Sequence, residues 1–234
     1  IGKRRNRVMS MTPITIPQGT FYASPTEDSK VYFGLTKLGV FYDAQFSETI
    51  KSYLPEQATV VDIGANLGQF SVAVADKAFK VYAFEPVERS RLLLQKNVAS
   101  YRNIEVIGCA LGDRSENSGT YKVSGQGSIS LKRLDSFDLN PDFIKIDVQG
   151  LEIRVLEGAR QTIKMSSPVI LFEVSNLTME FGGLASLRRI LKGYKLELFP
   201  DHKLVNLLRL WLELYVRYLF NRPKGYDVLA IKIS

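Results

Sequence analysis

Cysteine and histidine each occur once in this chain of 234 residues. The lone Cys109 excludes an intramolecular disulfide and any cysteine-rich zinc site, and it fits a reducing compartment. No uninterrupted apolar run reaches the ~18 residues of a membrane-spanning helix, and no signal-peptide pattern is present. The chain starts at Ile1 rather than Met, so its start says nothing of a leader or anchor. It also lacks a Pro/Gly/Ser-rich linker and any internal repeat. The expectation is one α/β domain over 1–234, with a lead-in or cap over 1–55 and a core over 56–234, in a cytoplasmic setting.

Apolar residues make up 45% and charged residues 24%, a globular composition that argues against disorder. Of the net charge of +7, Lys3, Arg4, Arg5 and Arg7 supply four, which leaves an ordinary solvated surface of about +3. The charge therefore gives little support to nucleic acid as a partner.

Strands alternate with helices through the middle of the chain. Thr59 to Ile63, Lys80 to Phe84, Ile104 to Ile107, Phe143 to Asp147 and Pro168 to Glu173 read as strands. Helical spacing covers Phe46 to Leu54, the stretch after Phe70, Leu92 to Val98, Leu151 to Ile163 and Leu184 to Leu191. This interval predicts a parallel sheet with right-handed crossovers. Tyr194 to Leu198 and Tyr226 to Ile231 read as a closing strand pair at one edge. In the lead-in, Lys30 to Phe33 reads as a strand. The Ser/Gly/Asn-rich segment from Asp113 to Ser130, with Tyr121 to Val123 as one arm of a small hairpin, reads as an insertion.

The chemistry centres on Val60 to Phe70. A β-branched strand reaches Asp62, turns through Gly64 and Gly68, and enters an amphipathic segment. Glycines there admit a ligand to the backbone, and N–H groups at a helix start favour an anionic or polar group. Asp62, Glu85, Asp147 and Glu173 each stand at a strand end, so all four carboxylates are expected on one rim of the ligand crevice. Glu85 follows Gly68 by 17 residues, near the spacing at which an acid accepts hydrogen bonds from a ribose diol. Asn66 occupies the middle glycine position of the dinucleotide fingerprint, and Asp62 suits a cationic amino-acid group held through water or backbone. The loop fits S-adenosylmethionine better than NAD.

Five blocks then coincide: Val61-Asp62-Ile63-Gly64-Ala65-Asn66-Leu67-Gly68, Phe84-Glu85-Pro86, Ala110-Leu111-Gly112-Asp113, Asp142 to Glu152, and Val155-Leu156-Glu157-Gly158-Ala159. In this order they resemble the FkbM family of S-adenosylmethionine-dependent methyltransferases. The resemblance implies a class I, Rossmann-like fold with a mostly parallel seven-stranded sheet, an antiparallel last strand and helices on both faces. It also implies O-methylation of a hydroxyl on a sugar, glycan, glycolipid or secondary metabolite. By position, Gly64, Ala65, Asn66, Gly68 and Phe70 would surround the methionine part, Glu85 and Pro86 the ribose, and Cys109, Ala110 and Leu111 the adenine. Asp147 would lie beside the transferring methyl. The family usually has Glu where this chain has Gln149, so no acid–base or metal role is carried over for that position, and no metal is expected.

A sugar hydroxyl is a poor nucleophile at neutral pH, and a carboxylate accepting its proton helps. Asp147 is the first candidate and Glu173 the second. Cys109 reads as a packed thiol, and His202, between Asp201 and a helix start, reads as a surface or capping residue. Lys203 to Phe220 is heavily apolar with a narrow polar stripe, predicting a helix over about 203–221. Three roles stay open for it: lining an acceptor pocket, packing in the core or a homodimer, and peripheral contact with a membrane. The alternative functions are RNA methylation and a non-catalytic module that keeps the fold. The chain lacks an Asn/Asp-Pro-Pro-aromatic motif and has Glu173 where ribose methyltransferases of the lysine-aspartate-lysine-glutamate type place lysine. The intact set of Gly64, Gly68, Glu85 and Asp147 argues against loss of turnover.

Overall fold

The computed structural model describes residues 11–39, 44–115, 129–175, 183–199, 203–204 and 225–233. It begins with a hairpin, β1 (Thr12–Ile16) and β2 (Gly19–Ala23), in which Ile16 pairs with Gly19. Residues Ser29–Leu38 then form helix α1, not the strand expected at Lys30 to Phe33. A strand would place residues 31, 33 and 35 on one face, but Leu35 is 1% exposed while Phe33 is 50% exposed. Val31, Tyr32 and Leu35 instead pack at helical spacing against the hairpin's Phe21 and Ala23, and Gly39, at φ +66°, ends the helix with its N–H on Leu35 O.

The alternating region follows: α2 (Ala44–Ser52), β3 (Ala58–Ile63), α3 (Gln69–Val74), β4 (Ala78–Phe84), α4 (Glu88–Asn97) and β5 (Ile104–Ile107). The short strands β6 (Ala110–Leu111) and β7 (Leu131–Lys132) pair in parallel with each other. After them come β8 (Phe143–Ile146), α5 (Glu152–Gly158), α6 (Arg160–Ser166), β9 (Val169–Ser175), α7 (Gly183–Ile190), β10 (Tyr194–Leu198), β11 (Lys203–Leu204) and β12 (Gly225–Lys232).

Among the described residues the main sheet has eight strands in the order β11-β10-β12-β9-β8-β3-β4-β5. The five from β9 to β5 are parallel, as the alternation predicts. Strand β12 runs antiparallel between β9 and β10, and β11 adds an antiparallel edge beyond β10. Lys203 and Leu204 are therefore strand where a helix start is expected. Residues 205–221, His202, the arm Tyr121 to Val123 and the basic residues of the N-terminal tail lie outside the described residues. No described helix is long and apolar enough to cross a membrane.

Alternation along the strands sets the two faces. Val61, Ile63, Ile144, Ile146, Ile170 and Phe172 pack in one core with Ile153, Leu156, Ile163 and Leu187 of α5 to α7. Val60, Phe143 and Leu171 face the other way, toward Ile50 of α2 and Val74 of α3. Burying one such side chain contributes about 1.5–3 kcal/mol. The helix expected over Leu151 to Ile163 is divided at Ala159. Asp135 Oδ1 accepts the N–H groups of Gln161 and Thr162, both at 3.0 Å, and so satisfies the start of α6 as a new helix.

Candidate functional site

Strand order reverses between β3 and β8, and in a doubly wound sheet the crevice at such a point receives the ligand. The two loops that border it are in backbone contact. Gly64, at φ +79°, has no room for a side chain, since a Cβ there would stand 2.0 Å from the carbonyl oxygen of Asp147. The Gly64 and Ala65 N–H groups both donate to Phe84 O at 3.0 Å, and the Asp147 N–H donates to Ile63 O at 3.0 Å. Gly68, at φ +91°, is required for a different reason: a Cβ there would meet Leu94 Cδ1 of α4 at 2.5 Å.

Glu85 joins the loop after β3 to the loop after β4. One carboxylate oxygen accepts the Asn66 N–H at 2.9 Å and the other accepts the Val87 N–H at 2.8 Å. Burial pushes this carboxyl above its ordinary range, and the two backbone donors oppose that rise. An acid braced in this way presents its remaining lone pairs to the cleft in one orientation.

Asp62, fully buried, accepts the Ser71 hydroxyl at 2.7 Å. The register that pairs Asp62 with Lys145 brings the Lys145 ammonium within 3.3 Å of its carboxylate. That ammonium is also 3.5 Å from Asp147 Oδ2 and 3.4 Å from Gly64 O. Burial draws the Lys145 pKa down, but Asp62 and Asp147 outweigh it and the net shift is upward. Sequence reasoning missed Lys145, whose signal was a cation inside a buried strand.

Asp147 itself is half exposed, its side chain retaining 56% of its surface. The loop that carries it passes through Gln149 at φ +54° and Gly150 at φ +102°. Buried Glu152 holds this loop by accepting the N–H groups of Val148 at 3.1 Å and Gly150 at 3.0 Å. The acid that the motif places at Glu152 is thus a brace for the loop.

Glu173 lies on the same sheet face as Lys145, because Lys145 pairs with Leu171 two residues earlier on β9. Directly across the antiparallel ladder from Glu173 is Asp227 of β12. Both carboxyls line the cleft and both are pushed up, by burial first and then by neighbouring acids. Asp227 escaped sequence reasoning. It sits in an ordinary alternating strand, and only the register sets it opposite Glu173.

Gly64, Glu85, Lys145, Asp147, Glu173 and Asp227 border one cleft of ≈ 1070 Å3. Of the residues singled out from sequence, Gly64, Ala65, Asn66, Phe70, Glu85, Pro86, Cys109, Ala110, Leu111, Asp147 and Glu173 line it. Asp62 and Gly68 stand behind the wall. Cys109 is buried and its thiol is pushed up to about 11, so it stays protonated at neutral pH and reads as packing. Phe70 stacks on Phe143 with ring centroids 6.1 Å apart. The lead-in also reaches the cleft through Asp28 and its neighbours, held by bidentate donation from Arg89 to Asp28 at 2.7 and 2.8 Å. Among the described residues no group of three or more His, Cys, Asp or Glu side chains is placed to hold a metal ion.

A family model described as the methyltransferase FkbM domain matches residues 62–215, more than half of the chain. The hexuronic acid methyltransferase AglP of Haloferax volcanii is 29% identical over 133 residues, covering 49% of this chain and 55% of its own length. A crystal structure of the methyltransferase FkbM from Methylobacillus flagellatus superposes with a TM-score of 0.54 at 21% identity, over 74% of this chain and 43% of that one. M. jannaschii TYW2 in complex with AdoMet superposes with a TM-score of 0.53 at 15% identity, over 96% of this chain and 87% of that one. The chain thus spans about half the length of AglP, and the two structures share its class I, Rossmann-like fold.

Proposed function

Because this chain belongs to the FkbM methyltransferase family, we propose that it transfers the methyl group of S-adenosylmethionine to a hydroxyl of a sugar, glycan, glycolipid or secondary metabolite. The observation that carries the reading is the meeting, at one switch point, of the Gly64 cradle, the braced Glu85 and the carboxylates of Asp147 and Glu173. The activity for which AglP is named, on a hexuronic acid, favours a sugar-type acceptor.

The residues fit the cofactor. Gly64 leaves its backbone open to a close ligand, Glu85 is an oriented acceptor for the ribose hydroxyls, and apolar Ala110 and Leu111 give the adenine a flat border. S-adenosylmethionine, when bound, supplies a methyl group on a sulfonium, a leaving group that needs no further activation. What remains for the chain is to align the acceptor oxygen, exclude water and accept the hydroxyl proton.

Asp147 and Glu173 divide these duties. Asp147 is 3.5 Å from the Lys145 ammonium, a contact that holds its carboxylate in place. Burial and then the neighbouring acids push the Glu173 carboxyl above its ordinary range, which gives it the stronger claim to the proton, with Asp147 orienting the acceptor. A screen with methyl-labelled S-adenosylmethionine against glycans, lipids and RNA tests the reading. Label in a glycan or glycolipid hydroxyl is expected, and label in RNA alone would overturn the substrate class.

A further inference from the structure

Two hydrogen-bond donors that line the cleft are assigned to no ligand group above. Lys145 lines the cleft with its side chain 14% exposed, and its ammonium stands among Gly64 O, Asp62 and Asp147 at 3.3–3.5 Å. Gln69, the first residue of α3, lines the same cleft, and its Nε2 is buried without a hydrogen-bond partner. A buried donor left unpaired is costly, and a ligand oxygen that meets it removes the cost.

The donor proposed above carries one ammonium and one carboxylate at its amino-acid end. Gly64 O, Asp62 and Asp147 offer acceptors and negative charge, which suit the ammonium and repel the carboxylate. Lys145 supplies the opposite charge, and it can keep Asp62 at 3.3 Å while exchanging its longest contact, to Asp147 at 3.5 Å, for a ligand carboxylate. Phe70 lies over the side chain with a ring centroid 5.8 Å from Nζ. Gln69, adjacent to Phe70 in sequence, opens the same wall.

We propose that Lys145 and Gln69 hold the carboxylate of the cofactor's methionine part, so that the chain selects methyl donors bearing a free α-carboxylate. The inference rests on the S-adenosylmethionine reading and adds to it a subsite and a specificity. The cluster around the Lys145 ammonium pairs this one cation with two acids, Asp62 and Asp147. The amino-acid end of the donor brings one ammonium for the acids and one carboxylate that needs a cation of the chain's own. Without Lys145 the carboxylate would face two uncompensated acids.

Calorimetry on the full chain tests this with two probes, S-adenosylmethionine and decarboxylated S-adenosylmethionine, which keeps the ammonium and the sulfonium. Wild type is expected to prefer the former by roughly ten-fold or more. In Lys145→Met and in Gln69→Met that preference should shrink toward unity, with affinity for the decarboxylated probe held within about three-fold. An equal loss for both probes, or an undiminished preference, would overturn the inference and leave the donor reading in place. A wild type that binds neither probe would overturn both. Gln69→Met keeps the pair between Lys145 and Asp62, so it reports independently of how well the lysine variant folds.

Discussion

The carbonyl oxygen of Asp147 occupies the space that a β-carbon on Gly64 would need, 2.0 Å away. The loops after β3 and β8 therefore meet backbone to backbone. Gly64 also sits at φ +79°, where an L side chain is strained. Gly64→Ala is expected to destabilise the fold by about 1–3 kcal/mol and to abolish detectable binding of S-adenosylmethionine. Urea unfolding and calorimetry on the same preparation check both parts, and wild-type affinity in this variant would contradict the close approach of ligand to loop.

Glu85 serves the protein twice, as an acceptor for the Asn66 and Val87 N–H groups and as the acid facing the cleft. Glu85→Gln sets an amide donor against one of those N–H groups. The variant should lose about 1–3 kcal/mol of stability and bind S-adenosylmethionine roughly 10–100-fold more weakly. Unchanged affinity would remove Glu85 from the ribose site.

Glu173 is raised by burial and by the acids around it. A base with a raised pKa is active only above that value, so kcat/KM is expected to fall as pH drops through the raised pKa. Glu173→Gln should lower kcat by roughly 10²–10⁴-fold and flatten that acid limb. If Asp147→Asn flattened it instead, the two acids would exchange the roles assigned here.

Asp227 stands across the ladder from Glu173 and contributes to its rise. Removing that charge makes ionisation of Glu173 easier. In Asp227→Asn the acid limb of the kcat/KM profile should move to lower pH, and a limb that stayed in place would show that the pair is uncoupled.

The same shifts bear on stability. Glu173 and Asp227 have folded-state pKa values above their unfolded ones, so the folded protein binds protons more tightly at these sites. Their contribution is largest below the unfolded carboxylate pKa and is lost as pH rises through the folded values. Unfolding free energy measured by urea from acidic to neutral pH should therefore decline less steeply in the double variant Glu173→Gln, Asp227→Asn than in wild type.

What the sequence determined by itself is local. A β-branched run, a glycine turn and an acid at the next strand end are short-range patterns, and β3, β4, β5, β8 and β10 lie where those patterns place them. The family also follows from motif order along the chain. Tertiary structure decided what depends on packing between distant segments. Residues 30–33 became helix because Leu35 had a hairpin to bury against. The helix after Leu151 divided because Asp135 capped a second one. Asp227 met Glu173 only through the β9–β12 register, and Lys145 met Asp62, Asp147 and Gly64 only because β8 lies beside β3. Register and strand order join residues far apart in sequence, so no spacing along the chain carries them.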